Sequence, residues 1–326
     1  MIRTSHVGSF PLPYTPGNIK RVIEDLASIG IDAPPYPQLR SFIDIYLEPL
    51  VGTGALASRN GFYFLRDPAR LKDSVEVEPE IPEARVMAEA KARGVYKWLR
   101  APVTGPFTLS SRIYIEDNIE GGLQATLLRE KKLLEYITEY VRVNLKYLAG
   151  LGYNILFIDE PVLGVLVGRR RILLGYNVEE ITSVINSVFE GLPGEHGIHV
   201  CGRISPSLLD ILAGSREPQV LNFEFHDNPG NIELLDREVL QAGSKILAPG
   251  IASSKNPRVE EYTELKNLLL EIGSRVNWRI DLVSADCGFG GLAVEDGSPE
   301  KAYAIGLEKL KRIKRIVVEV VEELGV

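Results

Sequence analysis

Cysteine is nearly absent from this 326-residue chain: Cys201 and Cys287 are the only two. So few cysteines exclude a disulfide framework, and in a reducing cytoplasm even one bridge between them is not expected. The ordinary fate of such a residue is to act as a small buried hydrophobe, so any chemical role has to come from its neighbours. Long apolar runs are missing too. No stretch of 18 apolar residues occurs, which argues against a membrane-spanning helix. The opening Met1-Ile2-Arg3-Thr4-Ser5-His6 lacks the apolar core of a signal peptide. Positive charge is not in excess, since 37 basic against 44 acidic residues leave a net −7. That balance speaks against nucleic acid or an anionic membrane as a partner. Low-complexity tracts, repeats and linkers are also lacking. The expectation is a cytoplasmic globular protein of ordinary composition, 45% apolar and 25% charged.

What is present is an alternation of short β-rich runs with longer segments of helical period, the pattern of βα units around a parallel sheet. Eight strands are predicted, over 3–7, 53–58, 95–103, 154–159, 196–200, 219–224, 245–250 and 278–285. Between them, Ile19, Val22, Ile23 and Leu26 make one apolar helical face. Over 122–149, Leu134, Ile137, Val141, Leu145 and Leu148 recur at three- and four-residue steps before Gly150 and Gly152. The last helix opens at Ser298-Pro299-Glu300, a capping residue with proline at the first helical position. Eight strands with intervening helices fit the α/β class as a single (β/α)8 barrel over residues 1–326, with an open doubly wound sheet as the alternative. In a barrel, chemistry gathers where strands end, because those ends surround one mouth.

The reactive residues obey that rule. His199 and Cys201, in Gly197-Ile198-His199-Val200-Cys201, are two apart and share a side of an extended chain. Glu224 ends one strand, and Cys287 follows another at Ala285-Asp286-Cys287-Gly288. Imidazole, thiolate and carboxylate are ordinary zinc ligands. Both cysteines, one histidine and one acid converge on one rim. Structural zinc sites usually use closely spaced local pairs, whereas these span 199 to 287, which favours a catalytic metal. Two thiolates and a carboxylate outweigh the two positive charges of Zn²⁺ by one. So electron-rich a centre is a poor electrophile, but it suits a substrate thiol, which coordination ionises. Alkylation of substrate sulfur is the natural reaction, with Glu224 the ligand to loosen.

These residues, in order and approximate spacing, resemble the zinc ligands of the cobalamin-independent methionine synthase family. His6-Val7-Gly8-Ser9-Phe10-Pro11, Thr104-Gly105-Pro106 and Phe157-Ile158-Asp159-Glu160-Pro161 resemble three further motifs of its catalytic barrel. The likeness covers essentially the whole chain. It implies a (β/α)8 barrel, one bound Zn²⁺ on His199, Cys201, Glu224 and Cys287, and homocysteine as methyl acceptor. By position, Ser9 and its amide would hold the substrate carboxylate and Asp159 its ammonium. Each charged end of a buried amino acid needs such a partner. Bland roles for the two are a turn and a cap, and Glu160 is read as a supporting residue.

Departures from the family bear on the donor. The N-terminal barrel of full-length members has no counterpart, Arg112 stands where folate-using members carry a tryptophan, and Lys255 stands where they carry a histidine. A Gly-Glu after the second strand has no clear match near Arg59-Asn60-Gly61. The chain looks more like the short, archaeal-type single-domain members, which are understood to take methyl from methylcobalamin on a corrinoid protein. A departing cob(I)alamin needs no proton, in keeping with the missing histidine. Two alternatives remain: methyltetrahydrofolate as donor, or another thiol such as coenzyme M as acceptor. A zinc-stabilised binding barrel is a third reading.

Other features read as background. Arg169-Arg170-Arg171 is a solvated loop or a docking patch, and the basic run Lys309–Arg315 is a surface face. Gly288-Phe289-Gly290-Gly291 lacks a dinucleotide fingerprint and is expected to let backbone pass close to the metal. His6 and His196 receive no role, and His226 is at most a neighbour of Glu224.

Overall fold

Side chains along a strand alternate between two faces, so each strand of a closed sheet sends every second residue into the lumen. The computed structural model describes residues 1–116, 119–236, 238–242 and 244–325. Among these the strands are β1 (Leu56–Arg59), β2 (Phe62–Leu65), β3 (Arg100–Thr104), β4 (Ile113–Tyr114), β5 (Ile155–Asp159), β6 (Glu195–Val200), β7 (Val220–Glu224) and β8 (Ile246–Gly250). β3, β5, β6, β7 and β8 pair in that order as one parallel sheet. Single parallel bridges carry it onward: Leu247 to Ile280, Gly250 to Ser284, Val283 to Thr4, Ser5 to Ala33, and Pro35 back to Arg100 of β3. The ring thus has eight staves, three of them short bridged segments, and the fold is an α/β barrel.

One expected strand is misplaced. Residues 53–58 supply no stave: Leu56–Arg59 pairs antiparallel with Phe62–Leu65 across Asn60-Gly61, in a separate small sheet with β4. Both turn residues have positive φ, 52° and 78°, the geometry of a tight hairpin. The second stave lies instead within 33–38, where Pro34, Pro35 and Pro37 supply no backbone N–H and hide the strand from pattern reading. The expected strands 3–7 and 278–285 survive only as bridged segments. The other five fall within a few residues of prediction. Helix Pro16–Ile29 starts at a Thr15 cap, helix Lys131–Gly150 buries the expected stripe, and helix Pro299–Leu324 starts at Ser298. Among the described residues no helix is long and apolar enough to cross a membrane.

The alternation sorts the core into two layers. Leu156, Ile158, Ile198, Val200, Leu221 and Phe223 pack outward against the helices. Ala33, Ile155, Phe157, Val220, Ala248 and Leu282 form a separate cluster within the ring. Gly197 faces Phe157, and a Cβ there would meet the ring at 2.2 Å, so only glycine fits. Counting by twos from Ile155, Gly197 and Val220, the lumen side becomes polar at the strand ends: Asp159, His199 and Glu224. The opposite end is closed by charge. Arg3 donates through Nε to Asp281 (2.9 Å) and through Nη1 to Glu195 (2.8 Å), and lies over the Trp98 ring.

The basic run on the last helix is only partly a surface face. Lys311 and Arg315 are exposed, but Lys309 is fully buried, with Nζ 2.7 Å from Glu260 and 3.0 Å from the Ser253 carbonyl. It sits in helical register with Ala302, Leu310, Ile313 and Val317, so the helix turns it inward.

Candidate metal centre

Strand register builds the rim. Asp159 pairs with His199, His199 with Asn222, and Glu224 with Gly250, which bridges to Ser284 just before Cys287. His199 and Cys201, both on the lumen side, therefore face the residues that follow the eighth stave. His199 Nε2 lies 2.9 Å from Cys201 Sγ, which lies 3.1 Å from Cys287 Sγ. Both cysteines are free. A disulfide holds its sulfurs about 2.05 Å apart, so this pair is close but unbridged. The three donor atoms all lie within 4.8 Å of one another.

Glu224 stands at the same rim but outside that tight group. It is buried; Oε2 accepts from Asn228 Nδ2, while Oε1 has no hydrogen-bond partner. Burial, then the neighbouring Cys287, raises its pKa. The thiols share a proton unevenly: a hydrogen bond from Cys201 holds Cys287 well below the usual thiol range, and the same contact pushes Cys201 up. One thiolate is thus already favoured, flanked by an imidazole and a carboxylate oxygen lacking a partner. That mixed N/S/O donor set fits zinc. A hard cation such as Mg²⁺, which calls for oxygen ligands, does not fit it.

Asp159 ends β5 in the lumen, almost wholly buried, with Oδ1 unpartnered. Burial lifts its carboxyl to about 6, against the pull of His199 and Arg100. Ser9 lies on the other side of the mouth, against the loop after Cys287. Its Oγ accepts from Gly290 N (3.0 Å) and its carbonyl from Phe289 N (2.8 Å). A Cβ on Gly288 would come within 2.2 Å of Ser9 Oγ. The glycines of this loop therefore admit Ser9, a closer reason than passage past the metal. His6 is buried, stacks on Phe289 at 5.0 Å and meets the Ser9 carbonyl through Nε2 at 3.1 Å. Burial lowers its pKa to about 3, so it stays neutral and structural.

Several residues that hold the site in shape escaped sequence reading. Asp286, fully buried, accepts from the backbone N–H groups of Phe225 and His226 through Oδ1 and of Asp227 through Oδ2, fastening the Cys287 loop to the loop after Glu224. Asn231 donates to the Gly202 and Glu224 carbonyls, tying the loops after β6 and β7. Glu160 takes the Phe107 and Thr108 amides and the Thr108 hydroxyl, 2.6–2.8 Å, and leaves no room for a Cβ on Gly105. It is the supporting residue expected, joining the Thr-Gly-Pro and Asp-Glu-Pro segments. Its motif was the available signal; Asn231 offered none. His226 meets Asp227 through Nδ1 and Glu264 through Nε2. Lys255 lies near enough to Glu224 to lower its pKa slightly against the larger effect of burial. Arg112 instead lines a cavity with Phe62, Tyr63 and Tyr114. Arg169, Arg170 and Arg171 are exposed after β5.

No family model matches the sequence, and no curated protein does. Solved structures do resemble it. A B12-independent methionine synthase from Shewanella sp. W3-18-1, in complex with selenomethionine, superposes with TM-score 0.67 at 16% identity, over 99% of this chain and 100% of that one. A methyltransferase from Methanosarcina mazei gives 0.68 at 14%, over 98% and 94%. A structure from Listeria monocytogenes gives 0.69 at 15%, over 97% and 96%. At such identities the likeness establishes the barrel fold alone, and barrels carry many chemistries.

Proposed function

We propose that the chain is a zinc-dependent methyltransferase that methylates the thiol of L-homocysteine to give methionine, with methylcobalamin on a corrinoid protein as donor. The observation that carries the reading is the meeting of an imidazole and a thiol from the end of β6 with a second, unbridged thiol after the eighth stave, beside a buried carboxylate with one unpartnered oxygen. The solved methionine synthase and methyltransferase with this fold lend it support.

In this reading His199, Cys201 and Cys287 hold zinc, and Glu224 is the fourth ligand that yields when substrate sulfur arrives. Bound zinc would keep that sulfur ionised at neutral pH. The chain's own residues do the rest. Asp159 accepts the ammonium of the amino acid, and Ser9 with its backbone amide holds the carboxylate, so the sulfur is fixed between them. The closed lumen beneath Asp159 keeps water from the sulfur. The donor would supply the methyl group: a substrate sulfur lone pair would form the S–C bond while the donor's bond to that carbon breaks and keeps its electron pair, so the chain would need to deliver no proton. Arg112 and Lys255, at the places of a stacking tryptophan and a proton-delivering histidine, suit a donor other than folate.

The test supplies zinc-loaded protein with homocysteine and, in parallel, methylcobalamin or methyltetrahydrofolate. Methionine is expected with methylcobalamin alone. Methionine from folate would overturn the donor. Methylated coenzyme M in place of methionine would overturn the acceptor, and product from no combination would overturn the reading.

A further inference from the structure

Arg100 opens β3 yet is fully buried within the barrel lumen. Its guanidinium lies 3.9 Å over the Phe157 ring, and Nη2 donates to Asn222 Oδ1 at 3.2 Å. Nε and Nη1 have no partner. The nearest carboxylate is Asp159, with Nη2 3.8 Å from Oδ1, an oxygen that itself lacks a hydrogen bond. A buried cation with two idle donors is costly to maintain. Phe157 and Asn222 pack it in place without neutralising it. The anionic groups near enough to act on it are Asp159, Cys287 and Cys201.

We infer that Arg100 is a positioning residue, a fixed countercharge under the mouth that pairs with the Asp159 carboxylate and holds it in place. This inference rests on the proposed function for its account of substrate. The ion pair with Asp159 does not depend on it. The guanidinium touches neither substrate nor metal. It acts through Asp159 and through the field it sets in a lumen where water screens little. Burial pulls its own pKa down only to about 10, so it stays charged at neutral pH.

Arg100→Met keeps the length and removes the charge, whereas Arg100→Lys keeps the charge and loses the planar stack. Homocysteine KM should rise about tenfold in R100M, with kcat far less changed, as Asp159 loses its fixed position, and should stay within about threefold of wild type in R100K. Melting of the metal-free proteins supplies a second readout through a cycle with Asp159→Asn. Removing the Asp159 charge should stabilise R100M relative to its effect in the wild-type background. If R100M fails to fold alone, recovery of folding in R100M/D159N supports the pairing and no recovery overturns it. An equal rise of KM in R100M and R100K, or a KM unchanged within twofold in R100M, would reduce Arg100 to packing. So would an Asp159→Asn effect of the same size in both backgrounds. A wild-type protein that binds no zinc overturns the functional reading, and the metal-free cycle then decides the pairing separately.

Discussion

At the floor of the barrel Arg3 is clasped by Asp281 and Glu195 and covered by Trp98, with its donors matched to carboxylate oxygens. At the rim, buried polar groups stand without partners. Among the described residues, nine buried side-chain nitrogen and oxygen atoms lack a hydrogen bond; three belong to Asp159, His199 and Glu224 at the rim, and two to Arg100 in the lumen beneath them. Native interiors seldom leave such groups unsatisfied. One end of the lumen spends its charges on closing the fold, while the other holds donors and acceptors in readiness. In barrels the strand N-termini serve stability and the C-termini serve chemistry, and the two ends of this ring divide in that way.

Substitutions can break or sharpen the contrast. The largest effect is expected for Cys287→Ser, which removes a thiolate from the rim. Methyl transfer should fall by about three orders of magnitude, from several kcal/mol of lost activation, while the melting temperature of metal-free protein barely moves. Unfolding would mean that the rim, too, serves stability. At the floor the pattern should invert. Arg3→Met leaves Asp281 without its buried partner and should cost about 3 kcal/mol of stability, read by denaturant unfolding, with kcat/KM of the folded protein unchanged. Asp159→Asn should raise KM for homocysteine about tenfold to a hundredfold, the worth of a hydrogen bond to a charged group, with kcat far less changed. The smallest effect belongs to Glu160→Gln, whose amide must face backbone donors it cannot accept from on both sides. About 1–2 kcal/mol of stability should be lost, with a modest fall in activity as the two motif loops loosen.

Much of this was legible in sequence because it depends on period and spacing. Branched apolar runs marked five staves, and the step of two from His199 to Cys201 placed both in the lumen. What escaped reading did so for physical reasons. Pro34, Pro35 and Pro37 disguise the second stave, whose few hydrogen bonds use carbonyls and the remaining N–H groups. Leu56–Arg59 has strand composition but finds its partner in a hairpin. Lys309 sits in a basic run that looks solvated, although its helical register with Leu310 and Ile313 pointed inward. Arg100 falls inside the strand predicted over 95–103, where nothing in the local pattern marks its surroundings. Only closure of the ring brings Phe157, Asn222 and Asp159 around it. Glu224, the proposed fourth ligand, stands at the same rim beside the close group of three.

The central claim is a metal held by thiolates from two remote strands. Titration of folded, metal-free protein with Co²⁺, followed by optical absorption, tests it most directly. One equivalent should bind with intense sulfur-to-metal charge-transfer bands, and Cys201→Ser or Cys287→Ser should each remove about half of that intensity. A folded protein that takes up no Co²⁺ or Zn²⁺, or one whose bound metal shows no thiolate signature, would contradict the account.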